Sequence, residues 1–328
     1  METNKQNYKK ETAGFVMDQN IPIVNSGSTL HELRDYLIEN ALKFHSVSYI
    51  YIVGENNKLV GVLSIKEVFS NNLDREVDGL MGKNLITTSP DTDQEEVALI
   101  SLRKNIKAVP VVDRDGILLG AVLKDTLLHV LYKESVEDAL LHSGIRKIEN
   151  PNDILEAGAW LHFKKRFPWL LLGLFGGILA AFIVKLFEES LAMQIILASF
   201  IPAIVYMADA VGSQTQTIFI RSIALSKEIN LKKYILREVR VAFLLSSILG
   251  LISFLITIFW IKSLQISLIV SLSIIATISV SMAVGIILPY TLSKLKIDPA
   301  IASGPSATVL RDILNLLIYF GIISVLLF

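Results

Sequence analysis

The stretch 206-YMADAVGSQTQTIFIR-221 lies inside a long apolar run, yet it carries Asp209, Gln214, Gln216, Ser213, Thr215 and Thr217. A carboxylate in hydrocarbon is costly and normally faces a cavity or a partner. Asp209, Gly212, Ser213 and Gln216 recur at i, i+3, i+4 and i+7, which puts them on one face of a helix. If the surrounding run spans a membrane, this face marks a polar interior, so the flanking sequence decides the fold.

Five apolar spans can be drawn after Arg166: Phe167–Val184, about Leu191–Ile220, Val241–Ile261, Ser263–Ser293 and about Ser306–Phe328, the last interrupted by Arg311 and Asp312. About 20 residues at ~1.5 Å each cross the ~30 Å hydrocarbon core of a bilayer. Spans two and four are longer than that, which predicts tilt, kinks or projection, with Pro202 and Pro289 as the natural places for a kink. Lys164, Lys165 and Arg166 precede span one. Arg221, Lys227, Lys232, Lys233, Arg237 and Arg240 lie between spans two and three, and Lys294 and Lys296 follow span four. The opposite side has Lys185 and Lys262 with Glu188 and Glu189. The positive-inside rule then puts the N-terminal half in the cytoplasm and Phe328 outside the inner (plasma) membrane. Topogenic charge accounts for these basic residues without a ligand.

The neutral total hides two different halves. Residues 1–158 hold 24 acids and 17 Lys or Arg, and residues 159–328 hold 7 and 14. With no cysteine, disulfides and thiolate metal sites are excluded. The opening METNKQNYKKE lacks the apolar core of a secretory signal. No basic patch for nucleic acid stands in the first half. All five histidines precede the first span and none has HExxH spacing, which argues against an intramembrane metalloprotease and against an enzyme.

The first half reads as one unit written twice. Each copy opens on a methionine-bearing entry (Val16-Met17-Asp18; Leu80-Met81-Gly82) and a β-prone piece (Ile21–Val24; Leu85–Thr88). An amphipathic helix follows (Thr29–Leu42; Gln94–Lys104), then an apolar strand (YIYIV; VPVVD), a polar turn, and a closing strand and helix from Leu59 or Leu118. This order resembles a tandem pair of CBS domains. CBS pairs often bind adenine nucleotides such as ATP, with a Ser or Thr and an acid three residues on at the ribose. Ser64 and Glu67 fit that pattern, whereas Leu123 and Thr126 have lost it.

Three segments extend the resemblance: 91-DTDQEEVA-98 with VPVVD and 133-KESVED-138; Pro202 through Arg221; and 285-GIILPYTLSKLKIDPAIASGPSATVLRDILNLLIYF-320. Together they resemble the MgtE family of magnesium channels over roughly residues 16–328. The resemblance implies an α/β cytosolic CBS-domain pair followed by an all-α five-helix transmembrane domain, acting as a homodimer in the lipid bilayer. The expected division is a disordered tail 1–15, CBS repeats 16–75 and 76–133, a connecting helical segment 134–166 and a transmembrane domain 167–328. The family's helical acidic N-terminal domain has no expected counterpart in the tail.

The family implies a pore lined by helices two and five in which an aspartate holds a largely hydrated Mg²⁺, here Asp312. Mg²⁺ is small, hard and reluctant to dehydrate, so few carboxylates suffice. Thr308, one turn earlier, adds a backbone carbonyl, and Asn315 and Tyr319 extend the same face. Where relatives carry Gly-Gly-Asn, this chain has Ala208-Asp209-Ala210, so Asp209 is expected to line the pore with Gln216, against the simpler reading of a packing role. Gly173, Gly176 and Gly177 are expected to allow close helix contact. The cytosolic Mg²⁺ sensor that the resemblance implies maps to Asp93, Glu95, Glu134, Glu137, Asp138 and Asp298, with family acids replaced at Asn105, Thr126 and His129. Pro151 and Asn152 break the connection, and 153-DILEAGAWLHFKKRF-167 reads as an amphipathic helix leading into span one. The alternatives are a Na⁺- or H⁺-coupled exporter of divalent cations, or a channel preferring another divalent ion.

Overall fold

The computed structural model describes residues 8–145, 158–188, 194–225, 230–295 and 297–327. They form two compact units, Met1–Ser135 and Val136–Phe328.

In the first unit, α1 (Ala13–Val16) and β1 (Ile23–Asn25) lead into α2 (Leu30–Asn40). Thr29 starts α2 through a capping box: its hydroxyl accepts from the Glu32 amide, while the Glu32 carboxylate accepts from the Thr29 amide at 2.9 Å. Strand β2 (Tyr49–Val53) pairs parallel with β1 and antiparallel with β3 (Leu59–Ser64), and α3 (Ile65–Ser70) closes the repeat. The second repeat contributes α4 (Gln94–Lys104), β4 (Val109–Val112), β5 (Leu118–Val122) and α5 (Lys124–His142). Its entry piece Leu85–Thr88, expected as a strand, is reduced to one bridge between Thr88 and Val111. Pro110 explains the loss, because it has no N–H to give to the carbonyl that the next rung would need.

The two repeats exchange their entry segments. Asp18, at the start of repeat one, exchanges both backbone hydrogen bonds with Ala121 of β5, at 2.8 and 2.9 Å. Gly82, at the start of repeat two, does the same with Val62 of β3, at 2.9 and 3.2 Å. Met17 and Met81 therefore cross Gly120 and Gly61. A Cβ on Gly120 would stand 2.5 Å from the Asp18 carbonyl oxygen, and one on Gly61 would stand 2.1 Å from Met81 Sδ. These are the glycine–hydrophobe pairs that the repeat pattern displays.

Residues 8–15, expected as a disordered tail, are ordered. Ala13 is fully buried, its amide donates to the Thr92 carbonyl at 2.7 Å, and it packs with Val97, Val109 and Val122. Residues 1–7 lie outside the described residues.

Among the described residues the second unit holds five helices long and apolar enough to cross a membrane. They are α6 (Ala159–Leu186), α7 (Ile201–Leu225) with a 3₁₀ turn ahead of it (Ile195–Phe200), α8 (Leu231–Ile261), α9 (Leu264–Lys294) and α10 (Pro305–Leu327). Helix α9 is central and packs on α7, α8 and α10. Its inward face alternates Ile with Ser and Thr, small polar residues that let helices approach. Ser271 donates to the Gly250 carbonyl of α8 at 2.8 Å, and Ser281 donates to Asn315 of α10 at 3.1 Å. Lys262, in the left-handed conformation, makes the tight turn from α8 to α9.

Two span expectations shift. Pro202 is the second residue of α7, where a missing N–H costs nothing, so it starts the helix instead of kinking it. Helix α8 begins ten residues before Val241, because Asn230 caps it and its charged first turns are helical too. Pro289 sits inside α9. The expected break at Pro151 and Asn152, the first part of the amphipathic segment (153–157), and Glu189, Lys227 and Lys296 lie outside the described residues. From Ala159 onward the segment is the beginning of α6 itself.

Candidate cation site

A cavity of about 420 Å³ opens inside the second unit between α6, α7 and α10. Gly173 and Gly177 of α6, Asp209 and Ser213 of α7, and Thr308 and Asp312 of α10 line it. His142 and Ser143, at the end of α5, border it, and His142 lies 3.4 Å from the Thr217 hydroxyl. The glycines divide by role. A Cβ on Gly176 would meet Val309 at 2.4 Å, so this residue brings α6 against α10, whereas Gly173 and Gly177 face open space.

Asp312, Asp209 and Thr308 thus border one cavity. Asp312 Oδ1 is buried without a hydrogen-bond partner among the described residues. An unpaired carboxylate oxygen in an apolar bundle is expensive and marks a place for a cation or its water.

Two expected pore residues are elsewhere. Gln216, 2 % exposed, donates to the Ala302 carbonyl and accepts from Arg311 at 2.7 Å. Asn315 is fully buried against Ser281. Both hold helices together and neither borders the cavity. Tyr319 likewise turns inward and donates to the Leu197 carbonyl at 2.7 Å. The face 312, 315, 319 fails as a pore stripe because a membrane helix surrounded by neighbours has several polar interiors, and spacing alone does not choose among them.

The residue that sequence reasoning missed is Arg311. Only 1 % exposed, it donates from Nε to Asp209 Oδ1 at 3.0 Å, from Nη1 to Gln216 Oε1 at 2.7 Å and from Nη2 to Ser213 Oγ at 2.9 Å; Nη2 also stands 2.8 Å from Asp209 Oδ1. The face 209, 212, 213, 216 is real, and Arg311 is what it faces. The available signal was one acid in span two and one base in span five, since charges inside membranes pair with one another.

The expected sensor acids have local work. Asp93 caps α4 by accepting from the Glu95 amide at 2.8 Å, and Glu134 accepts from the buried Gln94 side chain at 2.8 Å. In the second unit Asp298 caps the 3₁₀ turn Pro299–Ser303 by accepting from the Ala300 amide. Asp138 pairs with Arg221 at 3.5 Å. Burial pushes the Asp138 carboxyl above its ordinary value; Arg221 opposes that shift, while Asp298 and Glu137 add to it. Glu137, Asp138 and Asp298 therefore form one electrostatic neighbourhood. Among the described residues no group of three or more His, Asp or Glu side chains is placed to enclose a metal ion.

Ser64 and Glu67, expected at a nucleotide's ribose, spend their oxygens on each other in a capping box that starts α3. They do not border a small cavity in the first unit, about 130 Å³, which is lined by Tyr49, Tyr51, Val62, Asn84, Ile106 and Pro110 among others. Ligand pockets typically measure ~300–1,000 Å³.

Among the described residues, five helices of membrane-spanning length, three of which (α6, α7 and α10) border a carboxylate-lined cavity, follow a duplicated α/β module, the plan of a multi-pass membrane protein. A family model for "Divalent cation transporter", MgtE, matches residues 201–322, and one for "CBS domain" matches residues 13–73 and 75–133. The chain is 33 % identical over 320 residues to "Magnesium transporter MgtE" of Bacillus subtilis, covering 96 % of this chain and 70 % of that protein. It is 30 % identical over 326 residues to the protein of the same description from Thermus thermophilus, covering 98 % and 71 %. A solved structure described as the cytosolic domain of the Mg²⁺ channel MgtE in complex with ATP is 32 % identical, with a TM-score of 0.38, covering 39 % of this chain and 51 % of that one. The chain belongs to the MgtE family of magnesium transporters.

Proposed function

We propose that the protein is a dimeric Mg²⁺ channel or transporter of the inner membrane, gated by a cytosolic CBS pair that senses Mg²⁺, with its N-terminus in the cytoplasm and Phe328 outside. The observation that carries the transport reading is the cavity between α6, α7 and α10, whose wall within the membrane-length helices includes two carboxylates, Asp209 and Asp312. Asp312 supplies the charge that attracts the cation, and Thr308, one helical turn earlier on α10, supplies oxygen for the ion's water. A second copy of the chain would bring a second Asp312 to the path. Glu137, Asp138 and Asp298 form the second unit's share of the sensor, with Glu137 and Asp298 both repelling Asp138; cations that screen them favour the arrangement in which they stand close.

The test is Mg²⁺ uptake into liposomes holding the purified chain. Wild type is expected to pass Mg²⁺ and Asp312→Asn to lose at least about tenfold of the flux, the scale of one lost charge in a low-dielectric site. No flux in wild type, or none lost in the variant, overturns the reading. A flux that requires a Na⁺ or H⁺ gradient assigns the coupled-exporter alternative instead.

A further inference from the structure

Arg311 and Asp312 are neighbours on α10, and successive residues on a helix point about 100° apart. Asp312 borders the cavity while the Arg311 side chain is engaged by α7. Helix α7 is shaped for it: Gly212 lies under the side chain, and a Cβ there would meet Arg311 Cδ at 3.0 Å. The three α7 acceptors are Asp209, Ser213 and Gln216, so the guanidinium binds one acid and two neutral groups. Both contacts to Asp209 fall on the same oxygen, Oδ1. Asp209 is itself part of the cavity wall.

We propose that Arg311 sets the charge of this cavity: it is a tethered internal cation that offsets Asp209, so that each chain offers a passing ion one net negative charge, carried by Asp312. The inference rests on the transport reading above. The physical reason is release. A conducting site must attract an ion strongly enough to admit it and weakly enough to let it go. Two uncompensated carboxylates in a low-dielectric cavity would hold a divalent cation far more tightly than one. The rival role for Arg311 is a clasp between α7 and α10 with no bearing on the ion, and the two roles predict different mutant patterns.

The experiment uses the full chain with MgCl₂ as the probe. The half-saturating Mg²⁺ concentration is read from the thermal shift in detergent, and flux is read in liposomes. Asp312→Asn gives the response of the remaining acids, which is subtracted. Arg311→Gln is expected to lower the half-saturating concentration at least about tenfold and to slow maximal flux, because its charge is lost and Asp209 is unmasked. Asp209→Asn is expected to raise it by a similar factor, because the Arg311 charge is then uncompensated. The double variant Asp209→Asn/Arg311→Gln returns the net charge and is expected to bring the value back to within about threefold of wild type. Single variants that shift in the same direction, with no recovery in the double, overturn the proposal and leave Arg311 as a clasp. Should Arg311→Gln fail to fold, Arg311→Lys decides: a shift of less than about threefold supports charge setting, and one above about tenfold overturns it. A wild type that binds Mg²⁺ in this pattern but passes none sinks the transport reading alone.

Discussion

At the scale of single residues, Asp138 carries a signed pH dependence. Its carboxyl is raised above the ordinary 3.8 by burial and by its acidic neighbours, so the folded chain binds this proton more tightly than the unfolded one. The associated stability is present at low pH and is lost as pH rises through the raised value. Asp138→Asn, which cannot ionise, is expected to melt above wild type at pH 8, with the gap closing as pH falls toward 4. A variant that melts lower at pH 8 would show that the Arg221 ion pair outweighs burial. Asp209 was legible in the sequence because an ionisable group in an apolar run has few places to go, whereas Asp312 and Thr308 came through the family resemblance. Gln216 and Asn315, expected beside them, instead tie helices together, since buried amides are equally at home between helices. Arg311 was visible as an interruption of the last span, and its meaning appeared only when Asp209, 102 residues away, came within 3.0 Å of its Nε.

At the scale of elements, order and type followed from pattern. The doubled strand–helix–strand–strand–helix plan, the Thr29 start of α2 and the five apolar runs are all local signals. Non-local facts were hidden. Pro110 trims a neighbouring strand, and Ala13 is packed by Val97, Val109 and Val122, which arrive far later in the chain. Where backbones cross, we expect an asymmetric cost. Gly120→Ala must push back the Asp18 backbone carbonyl, whereas Gly61→Ala displaces the flexible Met81 side chain. Overpacking of this kind costs ~1–3 kcal/mol, with Gly120→Ala at the upper end and Gly61→Ala at the lower. Urea unfolding followed by the exposure of Tyr51 checks the order, and equal losses would mean that the backbone shifts freely. In the membrane unit, Gly176→Val sets a branched side chain against Val309 and is expected to separate α6 from α10, lowering both melting temperature and flux.

At the scale of the whole molecule, charge is partitioned. Residues 1–158 carry seven more acids than bases, and residues 159–328 carry seven more bases than acids. On the proposed sensing role, this surplus of acid becomes less accessible as Mg²⁺ binds. Trypsin cleavage within residues 8–145 is therefore expected to slow in millimolar MgCl₂ and to change much less in NaCl of matched ionic strength. Equal cleavage in both salts would remove the case for sensing.

The exchanged entry segments have a consequence for biosynthesis. Asp18 leaves the ribosome early and finds its backbone partner only when Ala121 has followed, and β3 waits likewise for Gly82. At ~5–20 residues per second, the interval from residue 18 to residue 121 lasts roughly 5–20 s. For that time the first repeat is an open clasp, with a strand edge that any neighbouring nascent chain can borrow.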